Sequence, residues 1–230
     1  MTIECIDLCR SYGGKKALDH VNLKLEGGHI IGLLGPNGSG KTTLIKLICR
    51  LLVPTSGQLL INGTPPGPAS KAAIAYLPDH CALPSQMRVR QLLRLYQDFF
   101  ADFDAEAARA LLNRFSISES DVFKHLSKGN QEKLQLILTM SRKASIYILD
   151  EPIAGVDPAA RDTILETILS TYREDALVLL STHLISDVET VLDDIVFLKE
   201  GQVFLHESAE EIRTRQQSSV DAYFREVFKC

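Results

Sequence analysis

Residues 35–42, GPNGSGKT, set three glycines, a lysine and a threonine at the spacing G-x-x-x-x-G-K-[ST]. Gly35, Gly38 and Gly40 let consecutive backbone N–H groups turn inward, and a helix starting here adds its own unpaired N–H groups and partial positive charge. Together they form a nest for a polyphosphate. In it Lys41 bridges the β- and γ-phosphates and Thr42 offers its hydroxyl to Mg2+, while Asn37, Ser39, Gly40 and Thr43 supply backbone or hydroxyl contacts.

A second group of chemical residues closes the apolar run SIYILDEP, residues 145–152. Adjacent carboxylates at the end of a buried strand are costly without a cation. Beside a phosphate loop, Asp150 is suited to hold Mg2+ and Glu151 to orient or deprotonate the attacking water.

These groups need elements to hold them. Short apolar runs at 2–8, 21–25 and 29–34, separated by SYGGKK and a Gly-Gly pair, read as strands joined by tight turns. Leu44, Leu47, Ile48, Leu51 and Leu52 give helical spacing over 41–52, ending before Pro54, so the phosphate loop sits between a strand and a helix. PTSGQLLINGTP then reads turn, strand, turn. From about 85 to 142 the pattern is helical, at 89–100, 104–115 and 131–141. Strands return at 145–149, 176–180, 195–198 and 202–205, with helices at 159–171 and 184–192, and this βαβ alternation predicts a mostly parallel core sheet. Val220, Tyr223, Phe224, Val227 and Phe228 share one face of a terminal helix, packed on the chain's own core or on a second subunit.

The chain has 230 residues, 45% hydrophobic, with a net charge of −4, which fits a globular domain and excludes a broad electrostatic attraction to nucleic acid or anionic lipid. No run approaches the roughly 20 apolar residues of a membrane-spanning helix. The opening MTIECIDLCR has neither an apolar signal core nor a basic leader, so the expectation is a cytosolic chain. Cys5, Cys9, Cys49, Cys81 and Cys230 are scattered, without CxxC spacing or a companion His cluster, and read as reduced thiols rather than metal ligands or disulfides.

Further motifs carry a resemblance. HLSKGNQEKLQL, from His125, resembles the LSGGQ signature of the ATP-binding-cassette ATPases: Leu126, Ser127 and Gly129 match, while Lys128 and Asn130 depart from it. The resemblance covers nearly the whole chain. It implies an α/β fold, a P-loop NTPase core with a mostly parallel sheet, an N-terminal antiparallel β subdomain and an inserted α-helical subdomain. The core would be 1–84 and 143–230, and the helical part about 85–142. It further implies that Tyr12 stacks on adenine, that Ser127 and Gly129 face the γ-phosphate of ATP held by an opposite subunit, and that His183 in LLSTHLISDVE contacts the γ-phosphate. AGVD, residues 154–157, resembles the loop that crosses the dimer interface; Asp157, Ser127, Lys128 and Gly129 would lie there. Asp79 in IAYLPDHCAL stands where the family has glutamine, near the metal and attacking water.

The function so implied is an ATP-hydrolysing subunit that dimerises around ATP, with itself or a similar cassette, to power a membrane transporter. The LSKG variant resembles drug- and peptide-exporting members. A separate integral-membrane protein would supply the pathway, docking near Asp79 and residues 85–115, and hold the chain peripherally on the inner face of the cell membrane. The competing reading, a soluble cassette ATPase acting on nucleic acid or ribosomes, lacks a second cassette, a long coiled-coil insertion and a basic arm, so no nucleic-acid partner is expected.

Overall fold

The computed structural model describes residues 1–154 and 156–228, so Gly155 of the AGVD stretch and Cys230 lie outside the described residues. β1 (Thr2–Tyr12) and β2 (Lys15–Glu26) form a hairpin longer than the apolar runs indicate. Their added ends mix exposed polar residues with the buried Cys9 and Leu18, and the cross-strand ladder carries them past the apolar runs. β3 (Ile30–Leu34) leads through the phosphate loop into α1 (Lys41–Ile48). α1 stops four residues before the expected end, as Arg50 turns left-handed at φ 53°. β4 (Ser56–Ile61), α2 (Pro68–Ala73) and β5 (Ile74–Leu77) follow.

Next come α3 (Val89–Phe99), α4 (Ala105–Arg114), a 3-10 turn (Phe123–His125) and α5 (Lys128–Met140). α5 begins three residues before the periodic run, because Ser127 caps it through Asn130 N at 3.3 Å. The chain closes with β6 (Ile146–Asp150), α6 (Pro158–Thr171), β7 (Leu177–Thr182), α7 (Ile185–Val188), β8 (Asp194–Lys199), β9 (Gln202–Ser208), α8 (Ala209–Gln216) and α9 (Val220–Phe228). α7 is one turn, shorter than the expected 184–192.

β2-β1-β4 make an antiparallel sheet, and β5-β6-β7-β3-β8-β9 a second sheet that is parallel up to β8, with β9 antiparallel at the edge. The mostly parallel core sheet and the antiparallel N-terminal sheet are therefore as the sequence predicts. β3, β6 and β7 are buried on both faces, which is why they read as unbroken apolar runs. Alternate residues divide between two cores. Ile31, Leu33, Ile146, Ile148, Leu177 and Leu179 pack under α1 and the antiparallel sheet. Ile30, Leu34, Tyr147, Leu149, Val178 and Leu180 pack under α5, α6, α8 and α9.

A third core joins α3, α4 and α5 through Leu92, Ala108, Leu112, Leu134 and Ile137. Arg142 ties this helical group to the sheet. Its guanidinium is buried, donates to both Asp102 carboxylate oxygens at 3.0 Å and to the Ile74 and Ala72 carbonyls at 2.5 Å, and lies 4.0 Å from the Phe100 ring. α9 takes the intrachain alternative: Phe224 stands edge-on to Phe197 of β8 at 5.4 Å, with Tyr223 stacked on it at 5.8 Å.

Candidate nucleotide site

Strand register brings the chemical residues to one edge. Leu34 pairs with Thr182, Asp150 with Ser181 and Leu77 with Leu149. The phosphate loop after β3, the Asp-Glu pair at the end of β6, His183 after β7 and Asp79 after β5 thus share the carboxyl ends of the parallel strands, where open α/β sheets place ligands.

The loop itself needs its glycines. A Cβ at Gly40, where φ is 111°, would meet the Ala17 carbonyl at 2.5 Å, and one at Gly35 would meet the Leu198 carbonyl at 2.3 Å. Gly40 caps α1 without a side chain, leaving that helix start with N–H groups directed to a ligand. Lys41 is 7% exposed, and its ammonium donates to the Gly35 carbonyl at 2.6 Å. Burial lowers its pKa, against the opposing charges of Glu151 and Asp150. A buried cation held by carbonyl oxygens is well placed to exchange them for phosphate.

A cavity of about 490 Å³ opens above the loop, lined by Tyr12, Asn37, Gly38, Gly40, Lys41, Thr42, Thr43, Asp79, Glu151 and His183. Gly35 and Ser39 are not on its wall; Ser39 is buried beneath the loop, where a Gly35 Cβ would strike its hydroxyl. The sequence did not single out Lys15 and Lys16, which add positive charge beside Tyr12.

Asp150 is 1% exposed; Ser181 Oγ donates to its Oδ1 at 2.5 Å, while Oδ2 is buried with no hydrogen-bond partner. Its pKa is raised, first by burial and then by Asp79 and Glu151, while hydrogen bonds from Ser181 and Thr42 oppose the rise. An orphaned carboxylate oxygen beside a threonine hydroxyl is a hard-oxygen set that suits Mg2+. Glu151 adopts a left-handed backbone at φ 53°, uncommon for a non-glycine residue. Its N–H donates to the Ser181 carbonyl at 3.0 Å and contacts Ser181 Oγ at 3.2 Å, and its Oε2 lies 2.9 Å from His183 Nδ1. Ser181 therefore holds the Asp150 carboxylate through its hydroxyl and the Glu151 backbone through Oγ and its carbonyl. Sequence reasoning passed over it, because a serine inside an apolar strand carries no signal of its own.

The ABC transporter family model matches residues 18–154, more than half of the chain, across the phosphate loop, the α5 start and the Asp-Glu pair. The chain belongs to the ABC transporter family. It is 32% identical to the ABC transporter ATP-binding protein YtrB of Bacillus subtilis, over 87% of this chain and 70% of that one. It is 30% identical to the daunorubicin resistance ATP-binding protein DrrA3 of Streptomyces coeruleorubidus, over 95% and 72% respectively. A solved ATP-binding subunit of an ABC transporter superposes with a TM-score of 0.89 at 30% identity, covering 99% of this chain and all of that one. This ABC protein is thus an ATP-binding subunit of a transporter and an ATPase.

The ABC signature residues stand apart from the nucleotide cavity of their own chain. Ser127 and Lys128 are exposed at the start of α5, the Lys128 side chain is 82% exposed and pairs with Glu132 at 3.7 Å, and a Cβ at Gly129 would meet open space. None of the three lines the cavity. Lys128 instead borders a second hollow of about 280 Å³, which Asp79, Asp150 and Glu151 share from the other side. Asp79 is half-exposed and sits 3.4 Å from His80 Nε2. Asp157 is exposed. No helix among the described residues is long and apolar enough to cross a membrane.

Proposed function

We propose that this ABC protein powers an exporter by clamping two ATP molecules between head-to-tail cassettes, itself paired with a copy or a similar chain. The observation that carries the reading is the exposed signature at the start of α5, which does not line the phosphate cavity of its own chain. Each chain offers a phosphate loop and a signature that it does not bring together, so a second chain supplies the missing wall. Ser127 and Gly129 act there as anion donors at a helix start, with Lys128 adding a cation and Asp157 lying at the seam.

Lys41 and the loop N–H groups hold the phosphates, and Tyr12 stacks on adenine at the cavity rim. Thr42 and Asp150 would hold Mg2+, with Asp79 close by, and the bound ion would supply charge neutralisation at the phosphate oxygens. Glu151 orients the attacking water and accepts its proton. His183, whose Nδ1 is engaged by Glu151, has Nε2 left for the γ-phosphate. Loss of that phosphate removes contacts to Ser127, Gly129 and His183, and the cassettes part, a ligand-driven population shift. The core is 1–84 with 143–230, and 85–142 forms the helical part that meets an integral-membrane partner on a separate chain. That partner holds the protein to the inner membrane face. The LSKG variant and the similarity to a daunorubicin resistance protein support the exporter direction.

Glu151→Gln is the test. It is expected to bind ATP, to lose about 10²- to 10⁴-fold in hydrolysis, and to sediment as a dimer with ATP but not without it. From detergent-solubilised native membranes the trapped dimer should bring down a multi-span protein in near-equal amount. Wild-type turnover sinks the role of Glu151, and a monomer at saturating ATP sinks the clamp.

A further inference from the structure

Away from the nucleotide cavity, the β1–β2 ladder shifts register three times, and the first two shifts are successive bulges. Between the pairs Cys5–Leu23 and Leu8–Val21, Ile6 and Asp7 oppose Asn22; between Leu8–Val21 and Arg10–Leu18, Asp19 and His20 oppose Cys9. Asp7 and His20 both turn left-handed, at φ 50° and 53°. The bulges re-aim side chains that a regular ladder would send to opposite faces. As a result one ligand atom each of Cys9, Asp19 and His20 lies within 4.8 Å of the other two.

We propose that Cys9, Asp19 and His20 bind a borderline-soft divalent metal of the Zn2+ class. Three features of the cluster suit it. Asp7 Oδ1 lies 2.6 Å from His20 Nδ1, a carboxylate–imidazole arrangement that fixes the ring and leaves Nε2 as the ligand nitrogen. His20 Nε2 is already 3.6 Å from Asp19 Oδ1, against about 3.3–3.8 Å between ligand atoms around a tetrahedral Zn2+. The Cys9 thiol is buried under the hairpin while the imidazole is mostly exposed, so the ion enters from the His20 side and keeps a water in the fourth position. On binding, the thiol proton leaves to solvent, and thiolate and carboxylate together neutralise the ion.

The site also has an internal competitor. Lys16 Nζ pairs with Asp19 Oδ1 at 2.7 Å, and the same lysine borders the nucleotide cavity. Metal and ammonium cannot share that oxygen without repulsion, so the ion releases Lys16. Gln202, donating to Asp19 Oδ2 at 3.2 Å, and the Gly201 carbonyl, accepting from Asp19 N at 2.9 Å, keep the carboxylate in place.

The test is competition for Zn2+ against a chromogenic chelator, on the full-length chain without nucleotide. A Cys81→Ser background removes the exposed thiol near Asp79 and His80. One equivalent is expected to bind, and Co2+ in its place should show a sulfur-to-metal charge-transfer band. Cys9→Ser and His20→Asn should each weaken binding at least 100-fold, Asp7→Asn about 10- to 100-fold, and Lys16→Ala should strengthen it. Asparagine tolerates the left-handed backbone at position 20, and that side chain is exposed, so His20→Asn remains decisive if Cys9→Ser melts early. No zinc uptake by the parent, an affinity unchanged in His20→Asn, or cobalt binding without the thiolate band overturns the site.

Discussion

Asp150 and Ser181 illustrate how a single buried oxygen sets behaviour. In the metal-free protein the native state raises the Asp150 pKa, chiefly through burial, and so binds its proton more tightly than the unfolded chain does. The resulting stability is full below the ordinary carboxylate pKa and is lost as pH rises through the raised one. Asp150→Asn should therefore raise the melting temperature of metal-free protein at neutral pH and flatten its pH dependence over that window, as read by calorimetry, while abolishing Mg2+-dependent ATP hydrolysis. Ser181→Ala acts through the carboxylate it orients. It should weaken Mg2+ binding to the ATP complex by about 10- to 100-fold with little change in ATP affinity measured without metal. An equal loss in both titrations would mean that Ser181 only supports the fold.

At the scale of elements, one buried guanidinium ties the helical group to the sheet beside the packing of α5 on it. Arg142 joins Asp102, which precedes α4, to the carbonyls of Ala72 and Ile74 at the α2–β5 junction. Removing it leaves the buried Ile74 carbonyl and the part-exposed Asp102 carboxylate without this partner, so Arg142→Ala should cost about 1–3 kcal/mol in urea denaturation. Arg142→Lys keeps the charge but not the fork and should recover only part of that loss. α8 was missing from the sequence reading for a related reason. Its stretch AEEIRTRQ buries only Ala209 and Ile212, too few for a helical period, and its signal was instead the capping box between Ser208 and Glu211. β5 has four residues at the sheet edge, too short for any periodicity to register.

For the whole molecule, the separation of loop and signature makes a prediction about mixtures. In a head-to-tail dimer, a Lys41→Ala chain and a Ser127→Arg chain together form one doubly damaged site and one intact site. Each variant alone should be inactive, and an equimolar mixture should regain about one quarter of the wild-type sites by random pairing. An inactive mixture in which dimers do form would mean that each chain completes its own site.

The amino-acid sequence alone determined the nucleotide chemistry and the parallel sheet, because both are written locally. The phosphate loop is eight consecutive residues, the carboxylates are adjacent, and doubly buried strands are continuous apolar runs. Only the tertiary structure decided how distant segments meet. Strand register set His183 against Glu151 and drew in Ser181 beside Asp150 and the Glu151 backbone, while the helical group left the signature off the cavity of its own chain. The described cysteines are free thiols, and the fold sets one of them beside residues distant in the chain. In the chain Cys9 has no histidine at ligand spacing, whereas two bulges bring His20 and Asp19 beside it across the hairpin. Bulges depend on the pairing of two strands, and a pairing is a property of the fold that neither strand carries by itself.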